Sequence, residues 1–155
     1  MAKEIERKYL VDMTQFDQLM PLGKQFIQAY AEFDGKWSDR VRIIDNKEAV
    51  YCTKSVTVGI ERDEFESDIP VEEAFKLINN GFKDIIYKTR YLITVDDHIW
   101  ELDVFEGLNR GLILAEIELD HAEEEFTRPA WAIQEVSDDS RYFNACLAKE
   151  PYSQW

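Results

Sequence analysis

The sequence predicts an α+β fold dominated by an antiparallel sheet, and three observations carry that expectation. Most of its 155 residues fall into segments where apolar and polar side chains alternate with period two, the signature of half-buried strands. Short polar connections such as Asp34-Gly35, Gly59 and Asp96-Asp97 separate those segments, as hairpins require. Only three segments carry helix signals, and they sit in the gaps between strands.

In chain order, Lys3–Val11 opens as a strand whose charged residues Glu4, Glu6 and Lys8 alternate with Ile5, Arg7 and Tyr9. Thr14–Met20 is expected to be a helix, capped by Thr14 and stopped before Pro21-Leu22-Gly23. Gln25–Phe33 and Ser38–Ile44 form a strand pair joined through Asp34-Gly35, and Ala49–Ser55 and Ile60–Ile69 a second pair joined around Gly59. Pro70–Asn80 is expected to be a helix with Pro at its start, Val71, Phe75 and Ile78 on one face, and Gly81 as its stop. Asp84–Val95, His98–Phe105 and Leu112–Leu119 are the remaining strands. Asp138–Ala148 closes the chain as a helix with Tyr142, Phe143, Cys146 and Leu147 turned inward.

Composition bounds what this fold can do. A chain of this length makes one domain, with no internal repeat or Gly/Ser linker to divide it. Hydrophobic residues at 45% and aromatics at 13% supply a core without disulfides or structural metal, which excludes disorder despite 32% charged residues. Eighteen Lys plus Arg against 32 Asp plus Glu give a net charge of −14, the opposite of what a general nucleic-acid or anionic-membrane binder shows. Cys52 and Cys146 are isolated, and His98 and His121 are too few for a His-rich zinc site. Neither a signal-peptide stretch nor a membrane-length apolar run is visible, so the expected location is cytoplasmic.

The informative feature is which charges share a strand face. Residues two apart on a strand point the same way. Glu4, Glu6 and Lys8 do so on the first strand; Arg40 and Arg42 on the third, with Lys54 near the end of the fourth. Arg62, Glu64 and Glu66 share a face on the fifth, followed by Lys88/Arg90, Glu101/Asp103 and Glu116/Glu118. Between them lie Ile5, Val41, Phe65, Tyr91, Leu102, Val104, Ile117 and Leu119. A sheet with one wet face commonly carries such pairs. Their sorting by sign is less ordinary. Like charges ~7 Å apart repel by roughly 0.6 kcal/mol in water but about 2.4 kcal/mol at an effective dielectric of 20. Exposed pairs therefore need no explanation. Pairs enclosed by a closed barrel would need counter-ions: divalent cations for the carboxylates and a polyanion, such as a chain of phosphates, for the Lys/Arg pairs.

The sequence resembles the CYTH-domain family, the triphosphate tunnel metalloenzymes. Glu4-Ile5-Glu6-Arg7-Lys8 is similar to the family's ExExK signature. The resemblance continues in order through Arg40-Val41-Arg42, Thr53-Lys54, Arg62-Asp63-Glu64-Phe65-Glu66 and Lys88-Thr89-Arg90-Tyr91. It then runs through Glu101-Leu102-Asp103-Val104-Phe105, Glu116-Ile117-Glu118 and Asp139-Ser140-Arg141-Tyr142-Phe143-Asn144, so it covers nearly the whole chain and is closest to small bacterial-type inorganic tripolyphosphatases.

What the resemblance implies is a closed eight-stranded antiparallel barrel with a few flanking helices, whose lumen binds a triphosphate and a divalent metal, Mg²⁺ or Mn²⁺. Carried over by position, Glu4, Glu6, Glu116 and Glu118 would face the metal, with Glu64 and Asp103 as outer partners of the metal or holders of the basic residues. Lys8, Arg40, Arg42, Lys54, Lys88 and Arg90 would grip phosphate, and Arg62 would either join them or pair with an acidic neighbour. Glu4, Glu6, Lys8 and Lys88 form the implied catalytic set. Tyr30 sits where similar proteins place a site-facing Tyr, and Arg141 and Tyr142 either close one tunnel mouth or belong to surface and core. Cys52 departs from the family, where this position is often basic.

The implied activity is metal-dependent hydrolysis of inorganic triphosphate to pyrophosphate and phosphate, with a small-molecule triphosphate as partner and a homodimer as a frequent assembly. The alternatives are a class IV-type adenylate cyclase, a thiamine or nucleoside triphosphatase, and a polyphosphate- or nucleotide-binding protein without catalysis. An intact acidic set argues against the last, because binding alone needs mainly the basic half. Phosphoryl transfer needs positioning and charge neutralisation rather than a covalent nucleophile, which agrees with a sequence lacking a Ser-His-Asp set or a P-loop. Fixed charges in a lumen also let a −14 chain bind a polyanion, since the local field decides.

Overall fold

The structure, a computed structural model, describes residues 2–31 and 37–155. Nine strands are described: β1 (Ala2–Val11), β2 (Lys24–Tyr30), β3 (Trp37–Ile44), β4 (Glu48–Ser55), β5 (Glu61–Ile69), β6 (Lys83–Val95), β7 (His98–Phe105), β8 (Ile113–Glu118) and β9 (Ala132–Glu135). Two α-helices accompany them, α1 (Val71–Asn79) and α2 (Asn144–Lys149). All strand pairings are antiparallel, in the order β5-β4-β3-β2-β6-β7-β8-β1-β9, and a further β5–β1 pairing closes the first eight into a barrel. β1 makes this possible by its length: its first half pairs with β5, its second half with β8, and its last residues with β9.

The eight barrel strands match the segments expected from alternation, with ends shifted by a residue or a few. The three-residue turn between β3 and β4 places Asp45 and Asn46 at φ 51° and 57°, with Lys47 N donating to Ile44 O at 3.0 Å, and those positive φ values suit Asp and Asn. The Asp34-Gly35 hairpin lies outside the described residues, as does the expected end of its strand at Phe33.

Helices are where expectation and structure part. Residues 14–20 do not form a helix; only a 3-10 turn over Met13–Gln15 exists, capped by the Asp12 carboxylate, which accepts from Thr14 N at 2.9 Å. Phe16 packs on Trp131, but Leu19 is 96% exposed, so no apolar stripe supports further turns. In α1 the packed face is Val71, Ala74, Leu77 and Ile78, whereas Phe75 points outward. The expected final helix splits into a 3-10 turn (Ser140–Tyr142) and α2, because Phe143 is extended at φ −69°, ψ 137°.

Because the middle of the lumen is charged, two of the three apolar cores lie outside the barrel wall and the third fills one end of the barrel. One, under β9 and the segment before it, packs Ile5, Tyr9, Trp100, Leu102, Ile117 and Trp131. A second docks α1 on Val41, Ile43 and Ala49. The third seats Leu147 of α2 against Ile86, Phe105, Leu112 and Leu114 near one barrel end. Phe65, on the uncovered face of β5, remains 54% exposed. None of the helices among the described residues is long and apolar enough to cross a membrane.

Candidate active site

Strand register brings the sorted charges onto the inner wall. Directly opposed residues include Glu4 with Arg62, Glu6 with Glu118, Lys8 with Glu116 and Glu101 with Glu116. The same face carries Gln28 opposite Arg42, Tyr30 opposite Arg40, Lys54 opposite Glu64, Cys52 opposite Glu66 and Arg90 opposite Asp103. Read around the ring, β4, β3 and β6 contribute Lys54, Arg40, Arg42, Lys88 and Arg90, with Tyr30 of β2 between them; β7, β8, β1 and β5 then contribute Glu101, Glu116, Glu118, Glu4, Glu6, Glu64 and Glu66, with Lys8 and Arg62 as counter-charges among them. The lumen is thus basic along one arc and acidic along the other. It encloses a cavity of about 430 Å³.

Within the acidic arc, Glu4 is held by two cations: Lys54 Nζ at 3.0 Å and Arg62 Nε at 2.9 Å. Burial works against its charge, but Lys54 and Arg62 outweigh burial and hold it down to about 2. Glu6 has the reverse balance. Burial, then the neighbouring charges of Glu116 and Glu4, push its carboxyl well above the usual range, while Glu116, although buried, is kept well below it by Lys8 (3.4 Å) and Arg90. Burial and Glu4 raise Glu64 to about 7, and burial with Glu4 also raises Glu118. Two buried carboxyls beside each other, one driven to keep its proton, are what a hard divalent cation with oxygen ligands would relieve. The donors present therefore fit such a cation.

The sign of the resulting pH dependence follows from the raised groups. Between about pH 4.5 and 7 folded Glu64 binds a proton that the unfolded chain has released, and Glu6 adds to this, so metal-free stability grows as pH falls through that window. Below it Glu4, with its value near 2, works the other way. Melting in EDTA is expected to move upward from pH 7 to about pH 5, and Mg²⁺ is expected to reverse the slope, since metal binding needs the deprotonated carboxylates. A series of melting curves with and without Mg²⁺ checks both signs.

The basic arc is built on aromatic and amide supports. Asp103, fully buried, accepts from Lys88 Nζ at 2.7 Å and from Arg90 Nε and Nη2 at 2.7 and 2.9 Å. Its oxygens are engaged by these cations, and it does not itself line the cavity. Lys88 Nζ also donates to Asn144 Oδ1 at 2.9 Å, and burial, against the pull of Asp103, brings it down to about 7. Arg90 additionally pairs with Glu101. Burial, with Arg40 and Arg90 nearby, lowers Arg42 to about 9. The Phe26 ring lies beneath three of these cations, with centroid distances of 4.6 Å to Arg42, 5.0 Å to Arg90 and 5.9 Å to Lys88. Arg40 Nε is buried without a hydrogen-bond partner among the described residues, and its Nη2 is 3.6 Å from Glu66. A cluster of cations this dense, one with an unspent donor, is a site for an anion.

The sequence-derived residues are placed as follows. Glu4, Glu6, Lys8, Tyr30, Arg40, Arg42, Lys54, Arg62, Glu64, Lys88, Arg90, Glu116 and Glu118 all line the cavity. Arg62 pairs with Glu4 and lies 3.7 Å from Glu6. Arg141 does not line it. Its guanidinium is 61% exposed, clamps Asp139 (2.7 Å) and stacks on Trp155 (4.8 Å), which holds it outside. Arg141→Ala is accordingly expected to change turnover less than about twofold, a steady-state comparison that also tests the placement. Cys52 is fully buried beside Glu64 and Glu66, and burial pushes its thiol up. Lys8 Nζ reaches the Tyr142 carbonyl at 3.1 Å and lies over the Phe143 ring, so the segment before α2 closes one part of the wall.

Sequence reasoning did not single out Phe26, Gln28 or Phe143. Phe26 and Gln28 share the lumen parity of Tyr30, so period two carried that signal, but uncharged side chains did not stand out against the charged set.

Comparison with known proteins agrees with this geometry. The CYTH domain model matches residues 2–146. An inorganic triphosphatase of Acetivibrio thermocellus is 38% identical over 156 residues, covering 100% of this chain and 99% of that one. An inorganic triphosphatase of Nitrosomonas europaea is 31% identical over 94% of this chain and 96% of its own length. The crystal structure of the inorganic triphosphatase NE1496 superposes with a TM-score of 0.67 at 32% identity, covering 96% of this chain and 95% of that one. A closed eight-stranded barrel with oppositely charged arcs, matched along nearly its whole length by that domain model and those relatives, makes this chain a member of the CYTH-domain family.

Proposed function

We propose that the protein hydrolyses inorganic triphosphate to pyrophosphate and phosphate inside the barrel, in a metal-dependent reaction served by Mg²⁺ or Mn²⁺. The observation that carries this reading is the division of one lumen into a basic arc and an acidic arc. A polyanion meets the first and a cation shared with it meets the second. The inorganic triphosphatases similar over nearly the full chain support the choice of substrate.

In this reading Arg40, Arg42, Lys54, Lys88 and Arg90 hold the phosphate chain, the arginines by planar forks and the lysines as point charges. Arg62 supplements them or remains the partner of Glu4. Glu4, Glu6, Glu116 and Glu118 hold the cation, with Glu64 beside Lys54 as an outer member. The bound cation supplies charge neutralisation of phosphate oxygens and a water of lowered pKa. Lys8 and Lys88, anchored on Glu116 and Asp103, place positive charge where negative charge develops on the leaving group. Because the cations are prearranged and buried, they need little reorganisation as the phosphoanhydride bond breaks.

The test is phosphate release from a panel of inorganic triphosphate, ATP, GTP, thiamine triphosphate and pyrophosphate, each with Mg²⁺, Mn²⁺ or EDTA. The expected result is fast, metal-dependent cleavage of inorganic triphosphate with weak action on the nucleotides. Cyclic AMP from ATP would favour a cyclase instead, and metal-independent binding without turnover a polyphosphate-binding protein.

A further inference from the structure

Two hydrogen bonds beneath the basic arc have a fixed direction. An arginine only donates, so Arg42 Nε at 2.7 Å from Gln28 requires the amide oxygen to face it. That settles the orientation of the amide, whose two ends are otherwise interchangeable. Gln28 Nε2 then points to Tyr30 Oη, 2.9 Å away, and has only hydrogens to offer. The phenol oxygen must accept. Its own proton is therefore not spent on Gln28, and among the described residues no acceptor takes it. Tyr30 lines the cavity while Gln28 behind it is fully buried, so the direction left for that proton is the lumen. The arrangement is built in by the fold: Gln28 is the direct cross-strand partner of Arg42 on β3 and stands two residues from Tyr30 on the same face of β2.

We infer that Gln28 is a positioning residue that sets the polarity of an Arg42–Gln28–Tyr30 chain, forcing the Tyr30 hydroxyl to donate to a phosphate oxygen in the lumen. The inference rests on the lumen being the triphosphate site. With Nε tied to Gln28, Arg42 keeps its two terminal nitrogens for the same polyanion. Burial also pushes the Tyr30 phenol up, so the proton is present at neutral pH.

Gln28→Glu is the diagnostic substitution, because it keeps shape and reverses polarity. A carboxylate accepts from Arg42 and also from Tyr30, so the phenol proton turns inward. Gln28→Met removes both hydrogen bonds yet leaves the hydroxyl free to rotate toward substrate. The polarity chain thus predicts that kcat on inorganic triphosphate with saturating Mg²⁺ falls in the order wild type, Gln28→Met, Gln28→Glu. The Gln28→Glu loss is expected to be about ten- to a hundredfold, the effect of one hydrogen bond to a charged acceptor. In a Tyr30→Phe background most of that loss should disappear, whereas simple repulsion between the new carboxylate and phosphate would persist. A purely structural Gln28 predicts the opposite order, since the isosteric Glu would disturb packing less than Met. Gln28→Glu as active as Gln28→Met, or an equal loss with and without the Tyr30 hydroxyl, overturns the inference. Melting curves confirm that the compared variants are folded, and the Gln28→Glu cycle alone decides the matter if Gln28→Met is not. Inactive wild-type protein would sink the proposed function and this inference together; active wild type with equal losses would sink only this one.

Discussion

Glu116→Gln is expected to lower triphosphate turnover roughly a thousandfold while leaving the protein folded. Glu116 is the most shared carboxylate in the lumen. It faces both Lys8 and Glu101 across neighbouring strands, lies 3.4 Å from Lys8, and by its charge raises the Glu6 carboxyl. The amide retains an acceptor for Lys8 but carries no charge for a cation. Two readouts separate this from a folding defect. In EDTA the variant should still melt in one cooperative transition, below wild type because Lys8 and Arg90 lose a buried counter-charge, a loss that relief of Glu6 offsets in part. The Mg²⁺-induced rise in melting temperature should shrink, because ligand stabilisation scales with affinity. Undiminished turnover would remove Glu116 from the cation-holding set.

Asp103→Ala is the substitution expected to cost most stability. Asp103 touches no solvent and accepts from both Lys88 and Arg90, each of them buried. Removing it strands two cations in a wall already holding Arg40 and Arg42. Breaking a buried ion pair from one side typically costs about 3–5 kcal/mol. For a chain of this size that corresponds to roughly a 10 °C fall in melting temperature, read by calorimetry or circular dichroism. The sign of the activity change is also fixed. Lys88 and Arg90 would lose the anchor that orients them, so KM for triphosphate should rise. An unchanged melting temperature would mean that water or a neighbouring carboxylate already compensates these cations.

The strands and their lumen-facing charges were legible from sequence because period-two alternation survives any tertiary context that buries one face. Glu4, Glu6 and Lys8 share a face in every antiparallel arrangement of β1. The division into arcs was not legible, since it depends on the order in which strands meet: β2, early in the chain, lies between β3 and β6, and β1 closes the ring against β5. Only that order brings β6, with Lys88 and Arg90, across β2 from Arg42, and sets Glu116 beside Lys8. β9 escaped notice because four residues, Ala132–Glu135, are too few to show a period. The expected helix after β1 failed for want of anything to pack on, with Leu19 and Leu22 almost fully exposed. The two readings of Arg141 were inseparable in the sequence for a related reason. A motif position says nothing of the Asp139 clamp and the Trp155 stack that turn its side chain outward.

Gln28 and Phe26 show the complementary limit. Their contribution lies in what they do to charged neighbours: an amide that spends one donor of Arg42, and a ring beneath Arg42, Arg90 and Lys88. Neither contribution exists until β2 is registered against β3 and β6. A neutral residue on a lumen face with a charged residue directly opposite in register, Arg42 for Gln28 and Lys88 for Phe26, is the pattern that would have found them.

The most direct test of the central claim is a ³¹P NMR time course of inorganic triphosphate with the purified protein, in Mg²⁺ and in EDTA. The lumen described here predicts that the triphosphate signals decay in Mg²⁺ while phosphate and pyrophosphate grow in equal amounts, with no decay in EDTA or with Glu116→Gln. Triphosphate signals that broaden on binding but never decay, or that decay equally without metal, would contradict it.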